Sequence, residues 1–191
     1  MGMLGMFNFV TLNGFFAGPN GEFSWHTHGA EESTFSEESL KSGATLLFGR
    51  VTYDIMAGFW PTENAMKTLP VVAAGMNRAE KIVFSTTLKK ADWNNTRVIS
   101  SNIIDEVREM KKIPGMNMAV LGSGSIVTQF AEHGLFDQYQ IMVDPVALGG
   151  GATMFKGLKK KLELTLTGTR VFTNGAVLLT YAPAGILQEG K

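Results

Sequence analysis

Short apolar runs alternate with helical patterns through the first two thirds of the chain. The apolar runs are β-prone and do not alternate with polar residues, so they predict buried strands. They lie at Leu4–Leu12, Gly43–Phe48, Lys81–Phe84, Val98–Ile99 and Met118–Leu121. Residues 36–41, 64–76 and 102–112 between them predict helices, although Pro70 falls inside the second. This succession is typical of an α/β fold with a parallel sheet.

The pattern changes in the last third, where strands follow one another without intervening helices. Asp137–Val143 and Leu162–Phe172 predict strands, and in the second of these Leu162, Leu164 and Leu166 point to one face. Asn174-Gly175 is a strong hairpin signal leading into a strand at Ala176–Tyr181. The last third is therefore predicted to be antiparallel and appended to the alternating front.

The 191 residues are enough for one domain, which we assign to residues 1–183, with 184–191 as a frayed tail. Residues 14–34 are predicted to form a long polar loop, and loops of this length are usually binding loops or lids. Trp25 is its one tryptophan, placed either to stack on a flat ligand or to anchor the loop to the core.

Composition narrows the choice of partners. The formal net charge is zero, which gives no electrostatic reason to expect nucleic acid or an anionic membrane. No run of about 18 apolar residues and no signal peptide is present, so we expect a cytoplasmic protein. Cysteine is absent, which excludes a thiolate metal site. His26 and His28, beside Glu31 and Glu32, could bind a metal in a suitably folded loop, but an exposed loop without metal is the favoured expectation.

Two strand–glycine–helix junctions carry the candidate chemistry. The first junction joins a strand to a helix and consists of Gly122, Ser123, Gly124, Ser125 and Ile126. Unpaired N–H groups at the start of this helix can accept a phosphate, unless the serines merely cap the helix. The second junction offers Gly49, Arg50 and Thr52, and its alternative is that Arg50 pairs with Asp54. Ser85 and Thr86 follow a third strand, where hydroxyls can contact a ligand or only make a turn.

These landmarks, in this order, resemble the dihydrofolate-reductase-like fold, and in particular the reductase domain of bacterial riboflavin biosynthesis and its stand-alone relatives. The resemblance spans nearly the whole chain. Its pieces are residues 11–18, Trp25, residues 47–53, 81–88, 121–125 and 144–151.

The resemblance implies a three-layer αβα domain around a mixed sheet and an NADPH-dependent reductase of a flat heterocycle, pyrimidine- or pterin-like. It implies that the coenzyme pyrophosphate binds to the Gly122–Ile126 turn and to Gly49, Arg50 and Thr52. Ser85 and Thr86 would lie near the adenosine. The heterocycle, the expected small-molecule partner, would lie near Asn13 and Trp25. The family habit and the apolar C-terminal strands also imply a homodimer.

Three departures from the family pattern keep alternatives open. Ser123 stands where the phosphate turn often has a glycine, and it adds a hydroxyl. Thr86 stands where an arginine is common, so NADH remains an alternative coenzyme. The family's folate reductases carry an acid shortly after the loop tryptophan, and it helps to protonate the substrate. Its counterpart here is Glu31, the candidate proton donor, or Glu32. The alternative is that both are solvated loop charges. A dinucleotide-binding or interaction protein without turnover is the alternative function.

Overall fold

The computed structural model describes residues 1–185, so most of the expected tail, residues 186–191, lies outside the described residues. Two compact units make up this part of the chain, residues 1–3 with 28–123, and residues 4–27 with those from 124 onward. The strands are β1 (Leu4–Thr11), β2 (Phe15–Ala17), β3 (Thr45–Gly49), β4 (Lys81–Phe84), β5 (Thr96–Ile99), β6 (Met118–Leu121), β7 (Gln138–Asp144), β8 (Ala152–Thr153), β9 (Leu164–Val171) and β10 (Val177–Pro183). The helices are α1 (Ala30–Lys41), α2 (Arg50–Phe59), α3 (Glu63–Thr68), α4 (Pro70–Arg78), α5 (Ile103–Lys112) and α6 (Gly124–Glu132).

The first unit is built on four parallel strands in the order β5-β4-β3-β6. All four residues of β4 are buried, as the short unalternating apolar runs predict for strands covered on both faces. The core joins the strand residues Phe48 and Val83 to Tyr53 of α2, Met76 of α4 and the loop residue Trp93. The apolar runs therefore located this sheet correctly.

The prediction of one helix over 64–76 is wrong. The helix ends at Thr68 and a new one starts at Pro70, with Leu69 between them at φ −137°. Proline has no N–H to donate and its ring fixes φ, so it fits the first position of a helix better than the middle. Pro70 therefore begins α4 instead of lying inside a single helix.

The prediction of a structureless loop over residues 14–34 is also wrong in part. Phe15–Ala17 pair with β8, and α1 begins at Ala30, six residues before the predicted start. Glu32 supports the early start because its Oε2 accepts the Gly29 N–H at 2.6 Å. A glutamate at the third helical position stabilises a helix N-terminus in this way.

The second unit carries the antiparallel C-terminal strands. β1 and β7 are parallel, whereas β10 runs antiparallel to both β7 and β9. The Asn174-Gly175 hairpin is confirmed, and Gly175 has the positive φ of 88° that this turn requires. Among residues 1–185, no helix is both long and apolar enough to cross a membrane.

Candidate active site

The glycine turn after β6 has an unusual backbone. Gly122 and Ser123 both have φ of 63°, in the left-handed region that side chains rarely adopt. A Cβ on Gly122 would lie 3.0 Å from Cγ2 of Thr52, so both the backbone conformation and the tight contact favour glycine at this position. Consecutive N–H groups in turns can form concave anion sites, and phosphate binding at this turn stays a prediction.

Ser123 ties this turn to the start of α2. Its Oγ accepts the Gly49 N–H at 2.7 Å and donates to Thr52 Oγ1 at 2.8 Å, and the residue is 9% exposed. The added hydroxyl thus bonds to the protein itself, which differs from a hydroxyl presented to a ligand. Three of the predicted coenzyme residues, Gly49, Thr52 and Ser123, are brought together by this one side chain.

The N-terminus of α2 lacks a side-chain cap from the described part of the chain. Gly49 precedes it in extended conformation, and no side chain of residues 1–185 bonds to its first N–H groups. Arg50 occupies the first position, and its Nε donates to both Asp54 oxygens at 2.8 and 2.7 Å. The predicted alternative for Arg50 is therefore present, while both side chains remain about half exposed and within reach of solvent.

Ser85 and Thr86 directly follow β4, whose last residue pairs with Gly49 of β3. Ser85 Oγ accepts the N–H groups of Thr87 and Leu88 at 3.3 and 3.0 Å, so its hydroxyl makes a turn. Thr86 is exposed. The hydroxyl of Ser85 therefore bonds within a turn, which is the alternative given from the sequence, and Thr86 lies at the surface.

Gly124, Ser125 and Ile126 form the first turn of α6 in the second unit. A Cβ on Gly124 would lie 3.0 Å from the Phe16 ring, which accounts for glycine there. Ser125 is exposed, whereas Ile126 is 5% exposed and its side chain belongs to the core. Only the backbone of Ile126 could serve a ligand.

Asn13 closes a clamp on the loop after β7. Its Nδ2 donates to the Leu148 carbonyl at 2.7 Å, and its Oδ1 accepts from the Leu148 N–H at 3.2 Å and from Thr11 Oγ1 at 2.9 Å. Both ends of the amide are thus engaged within the protein. Asn13 shapes the end of β1 through these bonds.

An aromatic cluster covers one face of β1. Phe9 lies 4.0 Å from the His26 ring and 5.7 Å from Phe23, and Phe23 lies 4.9 Å from Trp25 between ring centroids. The Nε1 of Trp25 is buried and has no hydrogen-bond partner within residues 1–185. We define Phe9, Phe23, Trp25 and His26 as the aromatic cluster.

His26 is not an exposed loop residue, which corrects the expectation from sequence. Its side chain is 5% exposed and its Nδ1 lies 3.0 Å from Oδ1 of Asp144. Asp144 is the last residue of β7 and pairs in register with Thr11 of β1. Residues paired in a sheet share a face, and Phe9 lies two positions before Thr11, so Asp144 lies on the face of the aromatic cluster.

The two glutamates have different environments. Glu31 is exposed in the first turn of α1, whereas Glu32 is 1% exposed. The expectation that both are solvated is therefore wrong for Glu32, whose carboxylate caps its own helix. Glu31 as proton donor stays a prediction.

Sequence reasoning missed the pairing of His26 with Asp144. The two residues are 118 positions apart, and no local pattern joins a loop histidine to the end of a late strand. One signal was available, because Asp144 is an acid at the end of an apolar strand, and Asn13 follows closely on the end of another, β1. Polar residues at the carboxyl ends of neighbouring parallel strands mark ligand sites in open sheets.

Comparison with known proteins places this arrangement in a family. The protein-family model for the RibD C-terminal domain matches residues 3–178. The chain belongs to the RibD C-terminal domain family. The resemblance seen in the sequence is thereby confirmed, and membership supports a function of the reductase type.

Relatives of this RibD C-terminal domain agree in length and fold. The uncharacterized protein YyaP of Bacillus subtilis (strain 168) is 32% identical over 172 residues, which is 90% of each chain. A candidate riboflavin biosynthesis protein from Shewanella sp. PV-4 superposes with a TM-score of 0.73 at 19% identity, covering 95% of this chain and 98% of the other. Dihydrofolate reductase from Enterococcus faecalis, complexed with NADP(H), gives a TM-score of 0.66 at 15% identity, covering 95% and 96%. The predicted fold class, a dihydrofolate-reductase-like mixed sheet flanked by helices, is confirmed.

Proposed function

We propose that this member of the RibD C-terminal domain family is an NADPH-dependent reductase that transfers hydride to a small flat heterocycle. The substrate would be pyrimidine- or pterin-like, of the type reduced by 5-amino-6-(5-phosphoribosylamino)uracil reductases in riboflavin biosynthesis. The observation that carries the proposal is the left-handed turn at Gly122 and Ser123, bonded to the uncapped start of α2 through Gly49 and Thr52. Family membership and the NADP(H) complex of the E. faecalis reductase support the same reading.

In this proposal the coenzyme phosphates bind N–H groups at Gly122–Ile126 and at Gly49, Arg50 and Thr52. Ser85 and Thr86 lie toward the adenosine, and NADH is the alternative coenzyme. The coenzyme supplies the hydride, and the protein's task is to orient the two rings and exclude water. Asn13, Trp25 and Glu31 remain the proposed residues near the substrate.

A titration with NADPH and NADH, followed by quenching of tryptophan fluorescence, tests the coenzyme site. Arg50→Ala should weaken NADPH binding about tenfold, the scale of one charge-assisted contact, whereas Arg108→Ala should not. Arg108 is a matched control because it also pairs with an aspartate, Asp105, on an exposed helix. Equal affinity of wild type and Arg50→Ala for NADPH would contradict the assignment of Arg50.

A second pair of variants tests the glycine turn. Gly122→Ala places a methyl group against Thr52, whereas Gly115→Ala has the same kind of backbone, with φ of 77°, and open space around it. Backbone strain is therefore common to both variants, and only Gly122→Ala should lose NADPH affinity. Both variants are first checked for native circular dichroism.

The alternative is a dinucleotide-binding or interaction protein without turnover. It is favoured by one observation, that both ends of the Asn13 amide are already bonded to Leu148 and Thr11. Binding of NADPH without reduction of any pyrimidine or pterin would support it.

We also propose a homodimer. The outer strand of the second unit, β9, exposes Leu166 and Val171 at 51% and 73%. Light scattering at micromolar concentration should give twice the chain mass of 20.7 kDa. A monomeric mass would refute this part of the proposal.

A further inference from the structure

Asp144 has a carboxylate that is only half satisfied. The residue is 4% exposed, and Oδ1 lies 3.0 Å from Nδ1 of His26. Its Oδ2 is buried and meets no hydrogen-bond donor within residues 1–185. A buried carboxylate oxygen without a donor is costly, so its presence indicates a partner that the protein itself does not provide.

The surroundings of this oxygen indicate the chemistry of that partner. Within residues 1–185 no lysine or arginine pairs with Asp144, and its contact is with the Nδ1 atom of the His26 ring. The His26 ring lies 4.0 Å from Phe9, 5.1 Å from Phe23 and 6.1 Å from Trp25. Aromatic faces beside a carboxylate attract flat organic cations.

The indole of Trp25 is a second unsatisfied group in the same cluster. Its N–H is buried without an acceptor in the described part of the chain. The N–H of Trp25 should therefore respond to a ligand that enters the aromatic cluster.

We propose that Asp144 binds a positively charged N–H group of a flat nitrogen heterocycle through Oδ2, with the aromatic cluster contacting the ring. His26 is a positioning residue, since it holds the carboxylate through Oδ1. That this ligand is the substrate rests on the proposed function. A protonated C=N bond accepts hydride readily: the C–H bond forms, the π pair moves to nitrogen, and NADPH becomes NADP⁺.

The binding site is tested with benzamidine and benzamide, a flat cation and its neutral counterpart of the same shape. Calorimetric titrations at pH 8, with the indole N–H signal of Trp25 followed by NMR, should show benzamidine binding at least about tenfold more tightly. Asp144→Asn should abolish this preference. Asp105→Asn is the matched control, because it removes an exposed carboxylate whose side chain is 73% exposed.

Two variants of His26 separate positioning from folding. His26→Asn retains an N–H for Asp144 and should retain most of the preference for benzamidine, whereas His26→Phe retains a ring and should lose it. The readout is the ratio of the affinities for benzamidine and benzamide. A general loss of stability lowers both affinities and leaves their ratio unchanged. Trp25→Phe should remove the indole signal and leave the preference for benzamidine in place.

Equal binding of the two probes to the wild type, or a preference that survives Asp144→Asn, overturns the inference. Its failure is separable from that of the proposed function because NADPH is titrated independently. NADPH binding without a benzamidine preference overturns the inference alone. A benzamidine preference without binding of NADPH or NADH supports the site and refutes the reductase proposal.

Discussion

Removing the hydroxyl of Ser123 should destabilise the protein more than removing any exposed serine hydroxyl. Ser123→Ala leaves the buried Gly49 N–H without its acceptor and deletes the bond to Thr52 Oγ1. An unsatisfied buried N–H costs about 1–3 kcal/mol, and a lost neutral hydrogen bond costs about 1 kcal/mol. We expect the free energy of unfolding to fall by about 2–3 kcal/mol, after partial relaxation.

Ser123→Gly loses the same two bonds but removes the strain of a side chain at φ of 63°. Left-handed backbone costs a residue with a side chain about 1–2 kcal/mol, and the extra freedom of glycine in the unfolded chain offsets about 0.5–1 kcal/mol of that. Ser123→Gly should therefore be more stable than Ser123→Ala by about 0.5–1 kcal/mol and less stable than wild type.

Urea unfolding of the wild type and both variants measures these differences, with Ser125→Ala as a control in the same turn. Ser125 is exposed, so its variant should stay within about 0.5 kcal/mol of wild type. A Ser123→Ala variant that is as stable as the control would refute the bonding role of this hydroxyl. A Ser123→Gly variant less stable than Ser123→Ala would refute the strain argument.

Further predictions concern the polar groups of Lys81, Tyr139 and Asn13. Lys81 donates to the carbonyls of Met76, Asn77 and Ala79 at 2.6–3.3 Å, so Lys81→Met should lower the free energy of unfolding by about 2–4 kcal/mol. Burial lowers the pKa of Lys81 from 10.5 to about 8. Between pH 8 and pH 10.5 the lysine is therefore protonated in the unfolded chain and neutral in the folded protein, so the free energy of unfolding of the wild type should rise with pH in this range. Urea unfolding at several pH values checks this, and an equal slope in Lys81→Met would contradict it. Burial, reinforced by the Asp137 carboxylate, raises the pKa of Tyr139 from 10.0 to about 12, so stability should fall as pH rises through that range. In absorbance titrations, wild type and Tyr139→Phe should give equal phenolate signals up to about pH 11; a larger wild-type signal would count against this shift. Asn13→Ala should speed hydrogen exchange at the Leu148 amide about tenfold by removing its acceptor, and unchanged exchange would show that the clamp does not protect it.

Local patterns were sufficient to locate most of the fold. Lys81–Phe84 is apolar enough along its length to identify a buried strand, and Asn174-Gly175 identifies a hairpin, because both signals depend on neighbouring residues. The same reasoning failed at α1, where Glu32 was taken as solvated although it caps the helix from a buried position.

The candidate site could be predicted only where its residues are close together in the sequence. Gly122 and Gly49 could be identified from the turn that each makes between a strand and a helix. The internal bonding of Ser123 could not, since it depends on a threonine 71 positions away. His26 and Asp144 likewise meet only through the pairing of β1 with β7 and the path of the loop.

Hydride transfer from NADPH is tested most directly with coenzyme deuterated at nicotinamide C4. Purified protein is incubated with each C4 stereoisomer and a panel of pyrimidines and pterins, including 5-amino-6-(5-phosphoribosylamino)uracil in its open ribose form, and products are analysed by mass spectrometry. One stereoisomer alone should deliver deuterium to a carbon of one product class. NADPH binding without deuterium in any product would contradict the reductase assignment and favour the binding protein.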